Sequence, residues 1–166
     1  MDYIIDKMLS QHWNQSKDIY IEGINTGHAT FEKEAPEWDE WDKSHINSCR
    51  IVALQENVVL GWAALSPVSR RRVYSGVGEV SIYIRLDHLG KGIGTNLLKR
   101  LIELSEENGF WTLQASIFPE NQASINLHKN CGFRIVGTRE KFGKMSTGKW
   151  RNVILLERRS KLVGIK

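Results

Sequence analysis

Cysteine is scarce in this 166-residue chain. Cys49 and Cys131 stand too far apart to frame a metal site or a disulfide-held fold. Buried or half-buried thiols are the plain reading of both. Long apolar runs are missing as well: none approaches the ~20 residues of a membrane span. The opening MDYIIDKMLSQHW places acids early and holds no continuous apolar stretch of the signal-peptide kind, so a cytoplasmic location is expected. Internal repeats, low-complexity tracts and linker-like segments are absent, which leaves one domain over residues 1–166 as the expectation. What is present is ordinary. Hydrophobic residues make up 41% and charged residues 25%, the balance of a soluble globular chain with a real core. The net charge is +4, with basic residues clustered in Arg70-Arg71-Arg72 and between Arg134 and Lys161. Such a field attracts a polyanion, and nucleic acid, a phosphorylated cofactor and an acidic small substrate all qualify.

Hydrophobic periodicity orders the chain. A first strand is expected within Tyr3 to Leu9, followed by a helix carrying Trp13, Ile19, Tyr20, Ile21 and Ile24 that ends near Gly27. A short acidic helix with Trp38 and Trp41 follows; with Trp62, these read as core or dimer contacts. Arg50 to Gln55 and Val58 to Leu65 form a hairpin about Glu56-Asn57. Ser66 to Gly78 reads as a loop. Val80, Ile82 and Ile84 alternate with Ser81, Tyr83 and Arg85, the period of a strand. Ile93, Leu97, Leu98, Leu101, Ile102 and Ser105 then share one helical face, and Gly109 stops that helix. A strand over Trp111 to Ile117, a helix capped by Asn121, and two strands near Phe133 to Arg139 and Trp150 to Arg158 complete the order β-α-α-β-β-β-α-β-α-β-β. That order fits an α/β (α+β) fold with a mixed, mainly antiparallel sheet flanked by helices on both faces.

The segment Gly90-Lys91-Gly92-Ile93-Gly94 opens a helix directly after a strand. Unpaired N–H groups and the positive dipole end suit such a turn to a phosphate. Its spacing is G-x-G-x-G, neither the dinucleotide fingerprint nor a P-loop. A tight strand-to-helix connection explains the glycines equally well.

The surrounding stretches carry more. EVSIYIRLDHLGKGIGTNLLKRLI resembles the acyl-CoA-binding core of the GNAT N-acetyltransferase superfamily, and QASINLHKNCGFRIVGT looks like its second CoA-contacting helix and following strand. GWAALSPVSRRRVYSGVGEVSIYI, TGHATFE and FGKMSTGKWRNVILLER are similar to the phosphinothricin and methionine sulfoximine acetyltransferase branch. The likeness runs in order along nearly the whole chain. It implies a GNAT-like fold, acetyl-CoA as co-substrate, no metal, a small amino-acid-like amine as acceptor, and a homodimer. In one place the chain departs: the superfamily has Arg or Gln three residues before the glycine at 92, and here Leu89 stands there.

Amide formation from a thioester needs a neutral amine, stabilisation of the oxyanion and a proton for the departing thiolate. The resemblance implies Glu79 as the base; the plainer alternative is a solvated strand-end carboxylate. His128 stands where many superfamily members have a tyrosine acid, and it either donates a proton, contacts the CoA sulfur region, or packs as an ordinary helix residue. Backbone groups of Ile82, Tyr83 and Ile84, the turn from Gly90 through Lys91, Gly92, Ile93 and Gly94 to Thr95, and Asn121 are the implied cofactor contacts. Phe31, Glu32, Arg70, Arg72 and Tyr74 fall where the branch holds its acceptor, with guanidinium forks suited to carboxylate or phosphinate oxygens. A peptide or protein N-terminus is an alternative acceptor, and like-charge repulsion by the arginines argues against polyamines. A non-catalytic CoA-sensing or nucleic-acid-binding module of the same fold is the alternative from another class. This non-catalytic alternative carries less weight, since Glu79 and the glycine turn are both intact, and nucleic acid is not the expected partner.

Overall fold

The alternation of side chains along the strands decides how the layers form. The computed structural model describes residues 2–166. The chain runs β1 (Ile4–Lys7), α1 (Trp13–Asn25), α2 (Trp38–Ser44), β2 (Arg50–Gln55), β3 (Val58–Pro67), β4 (Val77–Ile84), α3 (Ile93–Glu107), β5 (Thr112–Ile117), α4 (Gln122–Asn130), β6 (Arg134–Lys144) and β7 (Trp150–Arg159). This is the expected order, with short 3-10 turns added before α1 and on either side of β4. The irregular segment before β4 is shorter than expected, because β3 continues to Pro67 and β4 begins at Val77.

The seven strands form one sheet in the order β1-β2-β3-β4-β5-β7-β6. Every junction is antiparallel except β4–β5. Register assigns the faces: Ile51 lies opposite Ala63, and Val52 opposite Trp62. Ile51, Ala63, Leu65, Val80, Leu113 and Leu156 pack under α3 and α4, where the buried face of α3 is Ile93, Leu97, Leu98, Leu101, Ile102 and Ser105, the row its periodicity predicted. Val52, Val59, Trp62 and Ala64 pack on the other face against Trp13 and Ile19 of α1 and Trp41 of α2. Strand β3 is thus covered on both sides, which is why Val59 to Leu65 reads as a continuous apolar run. Trp41 and Trp62 are core residues, their ring centroids 5.5 Å apart.

The β4–β5 junction positions the site. Parallel pairing covers only Val77 to Glu79 against Thr112 to Gln114. Its base is fastened where the Gly76 carbonyl accepts the N–H groups of Trp111 and Thr112, at 2.8 and 3.2 Å. Trp111 lies so close that a Cβ on Gly76 would come within 2.0 Å of its ring. Above Glu79 and Gln114 the strands part company: β4 stays on β3 as far as Ile84, and β5 stays on β7 as far as Ile117.

Candidate active site

The fork between β4 and β5 opens into a cleft of about 960 Å³. Its walls are β4 from Glu79 to Ile84, the entry of α3, the end of β5, most of α4, and the segment from His28 to Glu32. Because β4 has no β5 partner beyond Glu79, the backbone groups of its cleft-side edge are left for a ligand.

At one end stands the glycine turn. Gly90 and Gly92 adopt φ of +74° and +82°, left-handed values that penalise any side chain, and a Cβ at either would meet nothing within 4 Å. These two glycines are therefore required by backbone shape. Gly94 is closely packed: a Cβ there would lie 3.3 Å from the Leu127 side chain of α4, which would have to shift by a few tenths of an ångström. The first helical bond of α3 is donated by Asn96 N–H to the Gly92 carbonyl, so the N–H groups of Ile93, Gly94 and Thr95 have no partner within the helix. No side chain caps them. All three residues line the cleft, as do Gly90 and Gly92, whereas Lys91 is exposed outside its lining. Leu89 also lines it, 57% exposed and without a polar atom to offer.

At the vertex of the fork stands Glu79. Gln114 Nε2 and Ser116 Oγ donate to the same carboxylate oxygen, Oε1, at 3.2 and 3.1 Å. Oε2 has no bonding partner among the described residues. The expected alternation holds here: Val80, Ile82 and Ile84 pack with the α3 core, and Tyr83 turns to the aromatic cluster of α1, stacked on Tyr20 at 4.8 Å. Burial pushes the Tyr83 phenol well above the usual range, so it stays protonated. Gln114 and Ser116 escaped sequence inspection. The signal was their period-2 alternation with Leu113, Ala115 and Ile117, which puts them on the face of β5 opposite the core.

His128 sits in the cleft wall at 2% exposure, edge-on to Phe133 at 5.0 Å. Its Nδ1 lies 2.7 Å from the Ser124 carbonyl. A carbonyl only accepts, so Nδ1 carries the proton and Nε2 is a bare lone pair. That Nε2 is buried with no partner. Burial holds the imidazole below its ordinary pKa, against the weaker opposing pull of the Ser124 carbonyl. Asn121 caps α4 as expected: its side chain accepts the Ser124 N–H at 3.2 Å, and its Nδ2 donates to the His28 carbonyl at 3.3 Å.

Phe31 and Glu32 line the opposite wall. Arg70, Arg72 and Tyr74 do not line the cleft; they lie on an exposed segment where Arg71 stacks over Tyr74 at 5.3 Å. The basic C-terminal third is engaged internally in part. Arg134, Arg151 and Arg158 pair with Glu157, Glu120 and Glu106. Arg159 donates to the carbonyls of Trp111, Ser160, Val163 and Gly164. Charge that the sequence counts as a field is therefore partly spent on holding the fold.

Comparison with known proteins adds to this geometry. A profile of the acetyltransferase (GNAT) family matches residues 9–133. The L-methionine sulfoximine/L-methionine sulfone acetyltransferase of Pseudomonas paraeruginosa is 35% identical over 99 residues, 60% of this chain and 57% of that protein. The chain thus matches little more than half the length of that relative. The phosphinothricin N-acetyltransferase of Alcaligenes faecalis is 31% identical over 146 residues, 84% of this chain and 74% of its own length. A crystal structure of a GNAT superfamily phosphinothricin acetyltransferase from Sinorhizobium meliloti, in complex with AcCoA, superposes with a TM-score of 0.89 and 28% identity, covering 100% of this chain and 92% of that one.

Proposed function

This chain belongs to the acetyltransferase (GNAT) family, and we propose that it moves the acetyl group of acetyl-CoA to the amine of a small amino-acid-like acceptor of the methionine sulfoximine or phosphinothricin type. The observation that carries the proposal is the fork itself. A carboxylate stands at its vertex and a cradle of free N–H groups at the far end of the same cleft. Relatives named for those two acceptors support the substrate class.

The residues present fit acetyl-CoA. The N–H groups of Ile93, Gly94 and Thr95, with the turn from Gly90 to Gly92, suit its pyrophosphate. The unpaired β4 edge at Ile82, Tyr83 and Ile84 suits the amide groups of its pantetheine arm, and Asn121 stands ready beside α4. When bound, the thioester supplies an activated acetyl carbon. Glu79 takes the proton from the acceptor ammonium through Oε2, while Gln114 and Ser116 hold Oε1 and fix the carboxylate's direction. His128, with its proton committed to Ser124, acts as a hydrogen-bond acceptor at Nε2 rather than as a neutral proton donor, so the CoA sulfur would leave as a thiolate and take its proton from water. Phe31 and Glu32 face the acceptor across the cleft. Arg70, Arg72 and Tyr74 are left out of this assignment, since they do not line it. The proposal extends to a homodimer, for which the apolar residues Ile135, Val136 and Phe142 exposed on the edge strand β6 are the support.

Incubating the protein with acetyl-CoA and a panel of amino acids, their analogues and short peptides, with free thiol as the readout, tests the proposal. Turnover on methionine sulfoximine or phosphinothricin is the expected result. Turnover confined to peptides would move the acceptor to a protein N-terminus, and none at all across the panel would sink the enzymatic assignment.

A further inference from the structure

Among the described residues, Arg151 is the buried arginine of the basic C-terminal third, at 5% exposure. It lies on the sheet face of Glu79. Leu155 of β7 pairs with Ser116 of β5, which bonds Glu79, and Val153 and Arg151 follow at two-residue steps on that face. The guanidinium carbon sits 4.0 Å over the Phe118 ring. Nη1 donates to the Gly27 carbonyl at 2.8 Å. Nη2 donates to Glu120 Oε2 at 3.0 Å and to His28 Nδ1 at 3.3 Å. A hydrogen bond from its own backbone first, and Arg151 second, hold the Glu120 carboxyl below the usual range. One side chain thus joins segments lying between 31 and 124 positions from it.

What those bonds immobilise is the acceptor wall. Gly27 and His28 begin the segment that carries Phe31 and Glu32 into the cleft. Phe31 meets Phe118 edge-on at 4.8 Å. Behind it Gly143 of β6 leaves room that a Cβ would fill, 2.6 Å from the Phe31 ring. Arg151 Nε has no partner although buried, so the guanidinium is seated to bridge its neighbours at the cost of one unmet donor. The arginine itself does not line the cleft and makes no bond to the α3 turn.

We infer that Arg151 is the positioning residue of the acceptor wall, tying the Gly27–Glu32 segment to Glu120 and Phe118, so that acceptor affinity depends on it more strongly than acetyl-CoA affinity, which it reaches only through the bond between Asn121 and the His28 carbonyl. The inference rests on the acetyl-transfer reading of the cleft. It is tested in the full chain with Arg151→Met, Arg151→Lys and Glu120→Gln. Two readouts are used: backbone hydrogen exchange without ligand, and KM for methionine sulfoximine and for acetyl-CoA separately.

Arg151→Met is expected to speed exchange of the bonded amides of Thr26, Gly27, His28 and Glu32 while β3 stays within about twofold. It should raise the acceptor KM by about tenfold and the acetyl-CoA KM by clearly less. Arg151→Lys, which keeps the charge and loses the fork, should recover part of both. Unchanged exchange at Thr26, Gly27, His28 and Glu32 in Arg151→Met overturns the inference, as does an equal rise in the two KM values. If Arg151→Met fails to fold, Glu120→Gln decides: it must give a smaller rise that is larger in the acceptor KM than in the acetyl-CoA KM, and lost stability with an unchanged acceptor KM overturns the inference. A wild-type protein inactive on every amine sinks the enzymatic reading instead, and the exchange result alone then judges Arg151.

Discussion

Replacing Leu89 tests the phosphate cradle in the direction of gain. The side chain lines the cleft next to Gly90, offers no donor, and is 57% exposed. In Leu89→Arg a guanidinium would reach toward the pyrophosphate that the N–H groups of Ile93, Gly94 and Thr95 are proposed to hold. A hydrogen bond to a charged group contributes about 1.5–3 kcal/mol when sheltered. At this exposure solvent screening brings the gain down toward the surface-pair range, about 1 kcal/mol. That corresponds to about a fivefold lower Kd for acetyl-CoA. Leu89→Gln, with a neutral donor, should gain less. Calorimetric titration with acetyl-CoA at low and moderate salt separates the two. The arginine gain should shrink as the Debye length falls toward ~8 Å, and the glutamine gain should not. A Kd unchanged in both variants at low salt would refute the reasoning, since it would mean that no phosphate oxygen lies within reach of position 89.

Three further outcomes follow from the same geometry. Glu79→Gln should keep acetyl-CoA binding and lose about 10²–10⁴ in kcat at neutral pH; an unchanged kcat removes Glu79 from the base role. The depressed pKa of buried His128, and of His45, whose ring is likewise desolvated, means that the unfolded chain binds protons more readily near pH 6. Stability is then fully present above the unfolded value of about 6.5 and declines as pH falls below it. Urea melts at descending pH should show the decline flatten in His128→Phe; equal slopes in the two proteins would refute it. Leu98→Ala, in a fully buried position of α3, should cost about 2–5 kcal/mol by the same melts. A loss under 1 kcal/mol would mean that α3 is not docked as described.

Much of the fold was legible because the elements repeat with clean periods. The α3 face and the alternation along β4 could be read directly from the sequence. Asn121 was legible as a cap because capping is local: its acceptor atom and Ser124 N–H lie within one turn. The divergence of β4 from β5 was not legible, since it depends on where two strands 35 positions apart stop pairing, and no local pattern encodes that. Arg151 was hidden for a related reason. A lone arginine in a basic stretch counts as surface charge until the chain brings Glu120, Phe118 and Gly27 around it. Likewise Arg70 and Arg72 look like a ligand-binding pair in sequence, yet their segment is exposed outside the cleft.

The short seam between β4 and β5 has a thermodynamic consequence. Three residue pairs join a four-stranded half of the sheet, β1 to β4, to a three-stranded half, β5 to β7. Few backbone bonds cross that line, so the halves are held together chiefly by the core they share under α3 and α4. A ligand lying in the fork with one flank on β4 and the other on α4 supplies the rungs that the strands themselves do not make. It then behaves as a removable piece of the sheet. Its binding energy becomes cohesion between the halves, about 2.7 kcal/mol at a hundredfold excess over Kd, so the protein is most cohesive when the fork is filled.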